Sequence, residues 1–380
     1  MRILHAFIFF SIKHAGGTSD LMYKIVKAQA KAGLKPLVLS GSYKYDEELA
    51  ESLTGVEFIV TKSYFDKLGF SLMPGLLLQL ISAMKQVDVV HMHVFRTFQN
   101  VVLYMFCRLY KIPYVIDAHG AVPYHQNKNF LKKIFDFVIG RRMLRNAKCL
   151  VAETVVGRDE YLEIMPSLDA EAIVVLSPPF DTDEFMVLPS PGSFRQKYDI
   201  PSTAKVVMFL GRIHYIKGND FLIRGFALAL KQNPDLFLVL VGPDDGHMEL
   251  CKGMVSDLGI EGNVLFTGFL GGEHKNSALV DADIVVQLSR FEQGAWAPLE
   301  GVLCKTPIIV TADTGTGEDI KRLKAGYLVG FDEDEVLAET ILNVLNNYDS
   351  ALQMTDDARD YIFSNLSMNA RVGEYTELYV

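Results

Sequence analysis

The chain has 380 residues, 49% of them apolar and 22% charged, with a formal net charge of −9. At about 150 residues per domain this is two domains' worth, with the ordinary composition of a globular protein that buries sizeable cores. The acidic balance excludes an overall basic stripe for nucleic acid, and no apolar run reaches the ~18 residues of a transmembrane helix.

The charge is uneven. Residues 1–185 carry 21 Lys+Arg against 19 Asp+Glu, and residues 186–380 carry 16 against 27. A mildly basic first half is compatible with an anionic acceptor or membrane surface meeting it. None of the four cysteines, Cys107, Cys149, Cys251 and Cys304, forms a Cys-x-x-Cys pair. They read as buried, reduced thiols of a cytosolic protein. The opening run Ile3–Ile12 resembles a signal-peptide core, but His5 within it and the lack of a cleavage site favour a buried first strand.

Taken in chain order, short apolar, β-branched runs alternate with longer helical ones, the signature of parallel βα units. Strands are expected at Ile3–Phe10, Pro36–Leu39, Glu57–Val60, Asp88–His93, Tyr114–His119, Cys149–Glu153 and Ile173–Leu176. Helices are expected at Leu21–Ala32, Leu76–Lys85, Val101–Tyr110 and Phe130–Asn146. After a break at Ser177-Pro178-Pro179 and a Pro/Ser cluster from Pro189, strands resume at Val206–Leu210, Leu236–Val241, Val264–Thr267, Ile284–Leu288, Ile308–Thr311 and Tyr327–Val329. Ser367–Tyr379 reads as a final helix. The expected fold is α/β, two Rossmann-like doubly wound domains facing a cleft. Ligands of such sheets bind beyond the C-terminal strand ends.

Several motifs fall at those ends. Gly16-Gly17 sits between the first strand and its helix, where glycine lets backbone approach a phosphate, although the full Gly-x-Gly-x-x-Gly fingerprint is missing. His119 closes its strand, where catalytic groups collect. His91 and His93 share one face of the preceding strand. They read as strand packing, because the sequence places no third metal ligand beside them. Arg212 and Lys217 flank a strand end and suit a diphosphate, against the plainer reading of two loop cations. Glu292 and Glu300 lie at a strand-to-helix junction. They read either as a helix cap plus a solvated helix face, or as carboxylates gripping two ends of one nucleotide-sugar. The run Lys128–Arg145 mixes five basic residues after Lys128 with Phe130, Leu131, Ile134, Phe135 and Val138. It reads as a membrane-surface helix or as a solvated helix with snorkelling arginines.

With these residues in hand, nearly the whole chain resembles the retaining glycosyltransferases of the GT-B fold, the group that includes bacterial mannosyltransferases and sucrose synthase. The most specific part is Glu292 to Glu300 followed by Gly301-Val302-Leu303-Cys304-Lys305-Thr306-Pro307, which resembles that family's Glu-Gly-Phe-Gly…Glu-Ala-x-Ala-x-Gly-x-Pro block. Gly211-Arg212 with Lys217-Gly218, Gly16-Gly17 and His119-Gly120 fall in the family's order. Gln293 stands where the family has Gly, Ala295-Trp296 where it has Phe-Gly, and Ser177-Pro178-Pro179 where it has Pro-Asn-Gly.

The resemblance implies a domain over 1–185, joined again by the C-terminal helix 365–380, and a nucleotide-sugar-binding domain over 186–364. It implies transfer of a hexose from a nucleoside-diphosphate-sugar with retention, to a glycan or lipid-linked acceptor. No metal and no cofactor beyond the donor substrate are implied. Glu300 would hold the ribose, Arg212 and Lys217 the diphosphate, and Glu292 the sugar hydroxyls. Gln293, Gly294 and Ala295 would offer backbone N–H groups, His119 would touch the sugar, and Gly16 and Gly17 would let backbone reach the phosphates. A cytoplasmic protein with peripheral contact at the inner membrane face and no nucleic-acid partner is expected. An epimerase, a phosphorylase or a non-catalytic sugar-binding protein of the same fold is the alternative.

Overall fold

The computed structural model describes residues 1–12, 17–67, 70–124, 129–294 and 296–380. Gly16, Ala295 and the first residue of the basic segment, Lys128, lie outside the described residues. The chain divides into two compact units. Unit 1 is Met1–Phe180 with Leu366–Val380, and unit 2 is Asp181–Asn365. The chain therefore passes between units at the Ser-Pro-Pro-Phe-Asp element itself, and the Pro/Ser cluster from Pro189 belongs to unit 2.

Unit 1 is built on a seven-stranded parallel sheet. Its strands are β1 (Arg2–Phe9), β2 (Lys35–Gly41), β3 (Glu57–Thr61), β6 (Val89–His93), β7 (Tyr114–Asp117), β8 (Cys149–Ala152) and β9 (Ile173–Val175); β4 (Phe65–Lys67) and β5 (Phe70–Leu72) form a separate antiparallel ribbon. The order is β3-β2-β1-β6-β7-β8-β9, so the winding reverses between β1 and β6. Side chains alternate along a strand. The register pairs His5 with His91 across β1 and β6, and His93 with Asp117 across β6 and β7, which gathers these residues on one face.

Unit 2 repeats the plan with six parallel strands: β10 (Lys205–Leu210), β11 (Leu236–Val241), β12 (Val264–Gly268), β13 (Ile284–Gln287), β14 (Ile308–Thr311) and β15 (Tyr327–Val329). The order is β12-β11-β10-β13-β14-β15, with the reversal between β10 and β13. The runs Val206–Phe209 and Leu238–Val241 are apolar throughout and buried throughout. Helices on both faces of a parallel sheet make this arrangement the favourable one, since they cover the middle of an inner strand on both sides. All four cysteines are buried and free, as their apolar neighbours predict.

The last helix, Met368–Glu377, is capped by Ser367, whose side chain accepts from the Ala370 N–H at 3.3 Å. Backbone hydrogen bonds from Phe180 to Leu366 and from Met368 to Phe180 tie its start to unit 1. Tyr375 and Tyr379 are buried in that unit.

Candidate functional site

In unit 2 the sheet reverses at β10 and β13, and the loops after both strands meet there. The loop after β10 closes a short turn, Tyr215–Lys217, and enters the helix Asn219–Gln232 through Gly218. Gly218 has φ +63°, and a Cβ on it would stand 1.9 Å from the Leu288 carbonyl oxygen. Only glycine lets the β10 loop lie this close to the end of β13. That contact carries Lys217 to the residues that follow β13.

There the Lys217 ammonium pairs with the Glu292 carboxylate. Glu292 Oε2 also accepts from Gln287 Nε2 and Ser289 Oγ, each at 3.2 Å. Both partners are largely shielded from water. Glu292 is thus a fixed acceptor in a ring of donors rather than a solvated helix cap. Its backbone carbonyl accepts from Gly315 N at 2.8 Å, and the Gly294 carbonyl accepts from Thr316 Oγ1 at 2.9 Å. The start of the helix Gly315–Leu323 therefore braces the Glu292–Gly294 segment. Gln293 and Gly294 are buried just before the helix Trp296–Leu303. The N-terminal end of that helix adds partial positive charge.

A second clamp holds the two loops together, and sequence reasoning missed it. Arg290 donates to Asp220 through Nη1 at 2.9 Å and Nη2 at 2.6 Å, and to the Tyr215 carbonyl at 2.6 Å. Its guanidinium stacks between Tyr215, 4.0 Å to the ring centroid, and Phe331, 4.7 Å. Burial pushes the Asp220 carboxyl up, but the Arg290 hydrogen bond and charge outweigh it and hold the carboxyl below its usual range. Two opposite charges, Asp220 ten residues past the end of β10 and Arg290 three past the end of β13, were the available signal.

The other cations and carboxylates expected here are held elsewhere. Arg212, 56% exposed, pairs with Asp245. Glu300 on the helix Trp296–Leu303 accepts from Lys275 Nζ at 2.6 Å. Lys217 and Glu292 are brought together, whereas Arg212 and Glu300 have separate partners. A carboxylate offers about four acceptor positions, so the Lys275 contact leaves Glu300 capacity for further donors.

In unit 1, Gly17 begins the helix Gly17–Lys31 that follows β1. His119 follows β7 with φ +45° and its ring is buried. Its Nε2 meets His93 Nδ1 at 3.0 Å, and its Nδ1 lies 3.2 Å from both Glu153 Oε1 and Asp117 Oδ1. Burial alone lowers its pKa, but Asp117 and Glu153 outweigh that and hold it above the ordinary histidine value. Burial pushes the Asp117 carboxyl up to about 6 in spite of His119. The His119 imidazole is thus held inside unit 1 by His93 and Glu153. Arg96 braces the same edge through Asp136, with Nη2 to Oδ2 at 2.6 Å, and through the Val122 carbonyl at 2.9 Å. The helical segment from Phe130 exposes Phe130 (74%), Leu131, Ile134, Phe137 (79%) and Val138, with Lys133, Arg141, Arg142 and Arg145 exposed beside them. Among the described residues no helix is long and apolar enough to cross a membrane.

Two family profiles match most of the chain between them: Glycosyltransferase Family 4 over residues 15–184 and Glycosyl transferases group 1 over residues 192–361. The chain is 25% identical over 309 residues to the D-inositol 3-phosphate glycosyltransferase of Corynebacterium efficiens, covering 77% of this chain and 70% of that protein. It is 26% identical over 187 residues to an uncharacterised glycosyltransferase of Methanocaldococcus jannaschii, covering 49% of this chain and 47% of that one. The chain thus spans about half the length of the latter relative. Among solved structures it is similar to HepE of Anabaena in complex with UDP-glucose, with TM-score 0.81, 19% identity and 99% of each chain covered. It is also similar to sucrose-phosphate synthase of Thermosynechococcus elongatus, with TM-score 0.77, 18% identity, and 100% of this chain and 98% of that one covered. With two doubly wound units and matching profiles over both, the chain belongs to the glycosyltransferases of the GT-B fold.

Proposed function

We propose that the protein transfers a hexose from a nucleoside-diphosphate-sugar to a glycan or lipid-linked acceptor, with retention at the anomeric carbon and with no metal ion on the diphosphate. The observation that carries this reading is the Lys217–Glu292 pair at the adjoining ends of β10 and β13. In a doubly wound sheet that reversal is where a nucleotide binds. The HepE complex with UDP-glucose supports a nucleotide-sugar donor on this fold.

Each residue has a physical role in this reading. Lys217 meets the diphosphate, and Arg212 joins it by giving up an exposed ion pair, which costs about 1 kcal/mol or less. The start of the helix Trp296–Leu303, with backbone N–H groups of Gln293, Gly294 and Ala295, adds donors without a metal. Glu292 accepts from the sugar hydroxyls and Glu300 from the ribose. His119, with Gly16 and Gly17, serves the sugar and phosphates from unit 1. The acceptor hydroxyl attacks the anomeric carbon on the face the diphosphate leaves. The bond to the diphosphate breaks with its electron pair, and a phosphate oxygen takes the proton. No protein nucleophile is needed.

The exposed apolar residues of 130–138 beside Lys133, Arg141, Arg142 and Arg145 support a lipid-linked or anionic acceptor at an inner membrane surface, with the protein peripheral and cytoplasmic. The test is incubation with labelled donors and candidate acceptors, followed by product analysis. A glycosylated acceptor with unchanged anomeric configuration is the expected outcome. Conversion of donor to an epimer without acceptor, dependence on phosphate, or binding without turnover would each replace the transfer reading.

A further inference from the structure

Three imidazoles of unit 1 converge from two neighbouring strands. His5 stands opposite His91 in the β1–β6 ladder and His93 follows two residues on, so all three share one face of the sheet. Each is 0% exposed. One ring nitrogen of each is held from outside the trio. Gln29 Oε1 holds His5 Nε2 at 2.8 Å, the Tyr379 hydroxyl holds His91 Nδ1 at 2.9 Å, and His119 Nε2 holds His93 Nδ1 at 3.0 Å. The remaining nitrogens face inward. His5 Nδ1 and His93 Nε2 are 3.0 Å apart, and His91 Nε2 has no hydrogen-bond partner among the described residues. One ligand atom from each residue lies within 4.8 Å of the other two. An unpartnered polar group with no access to water forfeits its hydration with nothing in return, so plain packing leaves this nitrogen unexplained.

We propose that His5, His91 and His93 form a buried three-histidine metal site inside unit 1, for a divalent late first-row cation such as Zn²⁺, with water as the fourth ligand. Imidazole nitrogens suit these ions. Ligand bonds of about 2.0–2.1 Å at tetrahedral angles put the nitrogens about 3.3 Å apart, close to the 3.0 Å between His5 Nδ1 and His93 Nε2. Metal-bound histidines are held at their second nitrogen by outer partners, and all three here are. Behind His93 and His119 stand two buried carboxylates, Glu153 and Asp117. Asp117 Oδ1 lies 3.2 Å from His119 Nδ1 without hydrogen-bond geometry. Together they supply the counter-charge that a buried dication needs. Every residue of the site belongs to unit 1, and none contributes to the Lys217–Glu292 pair, so the inference stands apart from the donor reading.

Because the trio is fully buried, the ion enters as unit 1 folds. The test unfolds the full chain in chelator, refolds it with Zn²⁺ or Co²⁺, removes free ion by gel filtration, and measures metal per chain. One ion per chain is expected in the wild type and in His274→Ala, a surface histidine control, with Co²⁺ showing the absorption of a tetrahedral nitrogen site. Loss of that ion in a folded His91→Gln chain supports the site. If His91→Gln does not fold, X-ray absorption of the wild-type Zn²⁺ form decides, with an imidazole-rich shell supporting the site and a sulfur or all-oxygen shell overturning it. Absence of retained metal in refolded wild type overturns the proposal. So does equal retention by His91→Gln, because that residue stands outside the neighbouring group of His93, Asp117 and His119.

Discussion

Arg290 and Asp220 are joined by two parallel hydrogen bonds, Nη1 to Oδ1 at 2.9 Å and Nη2 to Oδ2 at 2.6 Å, which lock the first turn of the helix Asn219–Gln232 to the loop after β13. A planar fork fits a carboxylate in a way a lysine ammonium cannot. Arg290→Lys is expected to cost roughly 1–3 kcal/mol of stability and to weaken donor binding by loosening Lys217. Urea unfolding and donor titration on the same variant check both. The pH sign follows from Asp220, whose carboxyl is held below its usual value. Its contribution is complete above the unfolded carboxylate pKa and is lost as pH falls through the folded one. Urea midpoints in the acid range should therefore fall more steeply for wild type than for Asp220→Asn.

Gly218→Ala tests the close approach of the two loops. The substitution puts a Cβ at a φ of +63° and 1.9 Å from the Leu288 carbonyl oxygen. Backbone must shift, at a cost of more than about 1 kcal/mol, and Lys217 moves with it. The expected result is a folded but destabilised protein that binds donor at least tenfold more weakly. Unchanged binding would show that Lys217 does not need this turn.

Glu300→Gln and Lys217→Ala separate binding from folding. Glu300 is held by Lys275 and Lys217 by Glu292, so each change takes the opposite charge away from a partly buried group, while Glu292 keeps Gln287 and Ser289 as donors. A stability loss of about 1–3 kcal/mol is expected for each. Donor binding or turnover should fall far more, by a hundredfold or greater. Wild-type transfer by either folded variant would remove that residue from the donor site.

The thiols give an independent check on the packing of both units. Burial pushes Cys107, Cys251 and Cys304 up to about 12 and Cys149 up to about 11. A thiol so raised supplies almost no thiolate at pH 8. None of the four should react with a disulfide reagent in the native protein at that pH, and all four should react after denaturation.

Much of the fold was legible because the inner strands carry their burial in local composition. Val206–Leu210 and Leu236–Val241 read as strands of the kind covered on both faces, and they are β10 and β11. Glu292 and Lys217 were legible as residues at strand ends, where the winding of the sheet reverses. Their pairing was not, since the two are 75 residues apart and meet only through the sheet order. The same holds for Lys275 with Glu300. In unit 1 the alternation of His91 and His93 was visible, but His5 as their neighbour depends on β1 lying beside β6, a long-range register that no local pattern encodes. The inward turn of His119 was also invisible, because it depends on Glu153 at the end of β8.

The central claim is tested most directly by calorimetric titration of the full chain with UDP-glucose, UDP-GlcNAc, UDP-galactose and GDP-mannose, with and without EDTA, on wild type and Glu300→Gln. The account predicts that one donor binds the wild type, that EDTA does not abolish the binding, and that Glu300→Gln loses it. Failure of every nucleotide-sugar to bind, or binding that EDTA abolishes, would contradict it.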